Sequence, residues 1–324
     1  MPGGAPRPTR RTVLGLTYAA ALAGAAACGL RLDLPQPPPP VPTRRLVPDE
    51  GLLVQLVRTL DELAGQAKAV TRPGRSARTL ATLGGLFAQQ SRVVTGRLTN
   101  DGVPTEVIRP TPSAVSTATT GTSGPAATPP PATPPTTATA SITLARFAQR
   151  LAQLDAADWA VAAAATPVNR VLVLSVHSVQ LAGAALLGTE LAFNATPGPV
   201  RPLLVERTAP LVYGFEVVAA QSDGSARTRA LTVIDEVTDL LHALGGTATT
   251  APAGWALPFP VTTPKEAARL AQHLLGTAIA STTALVEKNP DARSLEDAGR
   301  WSARVQATAA GWGLPLTPFP GMST

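Results

Sequence analysis

Apolar residues recur at three- and four-residue spacing through most of the chain, and nowhere alternate convincingly with period two. The spacing predicts helices over 49–70, 76–99, 142–165 and 168–190, then over 200–221, 225–244, 264–288 and 291–311. Val171-Leu172-Val173-Leu174 has the composition of a buried strand, but it sits in an apolar run whose length favours helix. Thr263, Pro264 and Glu266 read as an N-cap, a first helical residue and the third position of a capping box. Thr166-Pro167 and Asn289-Pro290 read as helix starts of the same kind, and Gly245-Gly246 as a helix stop. Four helices, a break and four more predict an all-α fold of two antiparallel helical bundles, over residues 46–190 and 198–321. No strong residue-level repeat relates the two halves.

Three segments depart from this pattern. Residues 110–140 carry no charge, eight prolines and ten threonines, and nothing apolar larger than Val115. Such a stretch has too little to bury, and a disordered loop is expected there. Between Pro35 and Pro42 lie six prolines, which predict a polyproline spacer over 28–45. Upstream, Arg10 and Arg11 precede sixteen uncharged residues, Thr12 to Ala27. As a helix they reach about 24 Å, too short to span a bilayer comfortably, so 1–27 reads as a signal peptide. The arginine pair fits a twin-arginine leader, although general-secretion leaders also carry such pairs. The leader ends in small residues followed by Cys28, which resembles a bacterial lipobox. That resemblance implies cleavage before Cys28 and acylation of its thiol, and two or three acyl chains hold a protein stably on a membrane. The expected location is the extracytoplasmic face of the cell membrane.

Composition removes several function classes. The formal charge is +6, but three of the 27 basic side chains lie in the leader, leaving near balance against 21 acids. A basic-patch nucleic-acid binder is therefore not expected. One cysteine excludes a disulfide framework and a cysteine-rich metal site. Gly84-Gly85 and Gly245-Gly246 lack the strand and the Lys-Ser/Thr of a phosphate loop, and no Gly-x-Ser-x-Gly elbow occurs.

The second half carries Val212-Tyr213-Gly214-Phe215, then Trp255-Ala256-Leu257-Pro258-Phe259-Pro260-Val261, and ends Pro318-Phe319-Pro320-Gly321. Over roughly 198–321 it resembles the ferritin-like domain of unknown function found in lipoproteins of high-GC Gram-positive bacteria. Phe87-Ala88-Gln89-Gln90 and Asp101-Gly102-Val103-Pro104 are similar to the amino-terminal half of the same proteins. The resemblance implies a ferritin-like four-helix bundle on a lipid anchor. Many members carry an acid and a histidine just before Val-Tyr-Gly; here those places hold residues such as Thr208 and Ala209.

A ferritin-like di-metal centre needs inward glutamates and Glu-x-x-His pairs. The chain has no Glu-x-x-His, and the nearest is Asp239-Leu240-Leu241-His242. At about 100° per residue, Asp235, Asp239 and His242 fall opposite the face formed by Val233, Val237, Leu240 and Leu244. Glu206, Glu266, His273 and Glu296 likewise point away from their apolar stripes, so the centre of this bundle is expected to be dry packing. His177 lies in a helix apolar nearly all round and reads as a core histidine bonded to a backbone carbonyl, with no partners for a catalytic base. Trp159 reads as an anchor beside a solvated Asp155 and Asp158, and the Trp255–Val261 loop as a plug for the open end of the bundle. No catalytic residue, cofactor or metal is assigned. The expectation is a lipid-anchored envelope protein with a non-catalytic, binding or structural role, meeting a partner protein, a cell-wall polymer or a small apolar ligand. The competing expectations are a di-iron or di-manganese enzyme or store with a degenerate site, and a ligand-binding lipoprotein serving a transporter.

Overall fold

A computed structural model describes residues 44–71, 74–110, 142–246 and 254–322. The leader with Arg10, Arg11 and Cys28, nearly all of the spacer, and the Pro/Thr-rich loop apart from Pro110 lie outside the described residues. No described helix is long and apolar enough to cross a membrane.

The fold is all-α. Its helices are α1 (Glu50–Ala69), α2 (Ala77–Asn100), α3 (Thr105–Ile108), α4 (Leu144–Ala152), α5 (Ala156–Ala164), α6 (Pro167–Leu186), α7 (Arg201–Ala220), α8 (Gly224–Ala243), α9 (Pro264–Lys288) and α10 (Ala292–Gly311). Among the described residues the only β-type pairing is a single bridge between Val70 and Ile142.

Local chemistry accounts for the boundaries. The Thr263 side chain accepts from Glu266 N while the Glu266 carboxylate accepts from Thr263 N, so the expected capping box opens α9. Gly245, at φ 84°, ends α8: its N–H donates to His242 O, and Gly246 N–H to Leu241 O. That is a Schellman stop, which needs the left-handed conformation glycine adopts freely. Two starts differ from expectation. The segment 142–165 is two helices, because Asp155 forms a second capping box with Asp158 and turns the chain between α4 and α5. Asn289 does not start α10 but ends α9, its side chain donating to Leu285 O at 2.9 Å; Asp291 caps α10, accepting from Ser294 N at 3.0 Å.

Two apolar clusters follow the two sets of helices. The first draws on α1–α6 and the second on α7–α10, but Val286 of α9 and Leu295, Ala298 and Ala303 of α10 belong to the first. Val47–Thr324 is one compact unit. In it α1 pairs with α2, α7 with α8 and α9 with α10, while α6 packs against α4, α5, α9 and α10. Every residue of α6 from Leu172 to Ala184 is buried, the outcome its all-round apolar sequence requires. The chain after α10 is tied across both sets. Gln272 donates to Trp312 O, Gln90 to Pro318 O, Ser175 to Pro320 O and Thr283 to Gly321 O. The terminal Pro-Phe-Pro-Gly element is thus a clasp, with Phe319 on the first core.

Candidate functional site: a cleft between α8 and α10

The periodicity of α7 to α9 is realised closely. Leu204, Leu211, Phe215, Val233, Val237, Leu240, Ala267 and Leu270 are buried, while Glu206, Asp235, Asp239, His242 and His273 are exposed. On α10 it fails. Glu296 is not outward but largely buried, paired with Arg300 at 3.0 Å. Asp297 is 1% exposed and takes a two-pronged ion pair from Arg201, Nε to Oδ2 at 2.8 Å and Nη2 to Oδ1 at 2.9 Å. Gly198 N–H also donates to Asp297 at 2.8 Å. A buried carboxylate is tolerable on these terms, with its charge opposed and its lone pairs filled. Further along α10 the Trp301 indole donates to Thr208 at 2.9 Å, and Gln306 donates to Ser178 and Ser302. The interior is therefore not uniformly dry, but its polar groups bond to each other.

These residues do not fit a ferritin-like metal centre. Thr208 stands where a carboxylate would be wanted and spends its oxygen on Trp301, while Leu211, Phe215, Leu275 and Val305 fill the space beside it. Among the described residues no three His, Cys, Asp or Glu side chains converge.

His177 makes no backbone hydrogen bond. Its ring meets Trp159 edge-on, centroids 5.3 Å apart, and its Nδ1 and the Trp159 Nε1 are both buried without partners. Burial pushes its pKa down to about 4, against a weak opposing pull from Asp158. The Trp255–Val261 loop lies along the side of α7 and α9: Trp255 meets Tyr213, and Phe259 sits between Arg269 and His273.

The concavity that sequence reasoning missed lies between α8 and α10. Helix α8 packs closely on α7, and among the described residues no other helix packs on it as closely. The two facing helices run antiparallel. Arg229 Nη1 donates to Gly311 O at 3.2 Å, Thr308 Oγ1 donates to Glu236 at 3.3 Å, and Asp239 lies within electrostatic reach of Arg304. From Arg229 to Asp239 is about 15 Å of helix. Between them lies a cleft of ≈ 800 Å³, within the range of small-molecule sites. Leu211, Val233, Val237, Leu275, Val305 and Trp312 form its apolar lining, and Glu190 from the chain after α6 closes one end. The Trp312 Nε1 is buried with no acceptor among the described residues. Spacing along a helix reports which residues share a face; it carries no information on the distance between two faces, so the cleft left no sequence signal.

With the geometry in place, comparison with known proteins adds one finding. Residues 203–324 match the model of a family described as a domain of unknown function, DUF4439. No curated protein and no solved structure matches the chain. The DUF4439 match begins in the first turn of α7 and runs through α8, α9, α10 and the clasp, so it takes in both facing walls of the cleft.

Proposed function

We propose that this chain is an exported lipoprotein, held by an acylated Cys28 on the outer face of the cell membrane, whose ferritin-like carboxyl-terminal bundle binds an apolar small molecule between α8 and α10. The role is binding, not catalysis. The observation that carries the reading is the cleft itself, an apolar lining under a polar rim. The arginine pair, the lipobox and the proline-rich spacer support export and anchoring, because they set a folded module at a distance from acyl chains in a bilayer.

Nile red, an uncharged dye that brightens in apolar surroundings, tests the site. Saturable brightening by the full chain is expected. Val237→Trp and Ala307→Trp, which fill the cleft from opposite walls, should each weaken dye binding at least about tenfold, a cost of about 1.4 kcal/mol. Undiminished binding in two folded variants overturns the assignment. Separately, Cys28→Ser expressed in a lipoprotein-processing host should move the protein out of the membrane fraction.

A further inference from the structure

The charges around the cleft are not equally spent. Arg229 gives a hydrogen bond to Gly311 O and lies 5.5 Å from the Trp312 ring centre. Arg304 donates to Leu191 O at 2.8 Å and lies 5.4 Å from the centre of the Phe193 ring. Each lining guanidinium is therefore held by a carbonyl and an aromatic face of the protein itself. The lining carboxylates are not so held. Glu236 accepts one long hydrogen bond from Thr308, while Glu190 and Asp239 make no hydrogen bond and no ion pair among the described residues. Both are exposed, and both lie within electrostatic reach of Arg304, at the same end of the cleft. Lining acids also outnumber lining bases, Glu190, Glu236 and Asp239 against Arg229 and Arg304. Two carboxylates thus face one guanidinium at this end, so a ligand meets a net negative charge there.

The shape narrows the class further. The cleft is a furrow between two antiparallel helices, with an apolar floor from Leu240 to Trp312 rimmed by Arg229, Thr232, Glu236 and Thr308, and Glu190 and Asp239 stand at one end. A compact ion would leave the lining wet; a long neutral hydrocarbon would leave the acids unused. We infer that the occupant is a cationic amphiphile, a single apolar chain lying along Val233, Val237 and Val305 with a protonated amine on the outer side of Glu190 and Asp239, away from Arg304. This rests on the cleft being a binding site, and it adds the sign of the head group and the direction in which the ligand lies. Anionic lipids and fatty acids are selected against, because their head groups would face Glu190 and Asp239 with both arginines already engaged.

Decylamine, decanol and decanoate share one chain length and differ in charge at neutral pH. Each is titrated below its aggregation concentration against the full chain loaded with Nile red. Decylamine should displace the dye at about one-tenth the concentration decanoate needs, as two partly exposed pairs allow, with decanol between them. The preference should shrink as salt is raised. Glu190→Gln combined with Asp239→Asn should bring the three compounds to within about twofold of one another in displacing the dye each variant binds. Equal displacement by all three in the unaltered protein, or tighter decanoate, overturns the cationic assignment and leaves the apolar site standing. A preference for decylamine that survives in the double variant overturns the placement of the amine. Nile red binding that ignores both Val237→Trp and Ala307→Trp overturns the site itself.

Discussion

Helices α6 and α8 are each twenty residues long, and their surroundings differ in a way that locates function. Neighbours pack on α6 from several sides, and thirteen consecutive residues, Leu172 to Ala184, are buried. Helix α8 packs closely on α7, buries one stripe, reaches α10 through the Arg229 and Glu236 side chains, and leaves a furrow between them. One helix is a structural axis shared by both sets of helices; the other is one wall of a site. The contrast follows from the number of neighbours and not from helix quality, since both helices are ended by a glycine with positive φ, Gly188 and Gly245. A fully enclosed helix offers nothing to a ligand, whereas a helix held on one flank provides an apolar surface with a rim.

The strongest way to break the contrast is to release the frame that holds the fixed wall. Asp297→Ala strands Arg201 in a site it shares with the start of α7, and should cost about 3–5 kcal/mol in denaturant unfolding. A loss under 1 kcal/mol would mean that the pair is well solvated and α7 is held by packing alone.

A matched pair of truncations tests the contrast directly. Leu181→Ala in α6 opens a cavity among close neighbours on all sides, and should cost toward the upper end of the ~2–5 kcal/mol range. Leu240→Ala in α8 removes the same atoms beside an existing cleft, and should cost nearer its lower end, about 2 kcal/mol. Equal losses in urea unfolding would show that the cleft closes in solution.

The third effect is confined to acid. Folding depresses the pKa of His177 from 6.5 to about 4, so the unfolded chain binds the extra proton first. The contribution of the neutral ring to stability is complete above pH 6.5 and is lost as pH falls toward 4, by at most roughly 3 kcal/mol. In His177→Gln the stability profile should flatten through that window. A profile of unchanged slope would mean that the ring is hydrated in the folded protein.

The errors in reading α10 show where periodicity stops working. A single apolar stripe predicts one wet face, and placed Glu296 on it. Helices α5, α6, α7 and α9 all pack on α10, so little of its surface is wet. Asp297, one residue on, then finds its charge balanced by Arg201, which lies 96 positions away in the chain. On α7 to α9, each with a free flank, the same arithmetic placed Glu206, Asp239, His242 and His273 correctly in solvent.

Local chemistry was enough to settle the helical class, most helix limits and the solvent face of each peripheral helix. The Thr263–Glu266 box, the Gly245 stop and the all-round apolar run of α6 act over one to four turns, and each is written in contiguous residues. Only tertiary structure decided that Asp297 is buried against Arg201, that the Pro-Phe-Pro-Gly element clasps both sets of helices, and that α8 stands away from α10. Those features depend on distances between residues far apart in the chain, and a helical repeat carries angle but not separation.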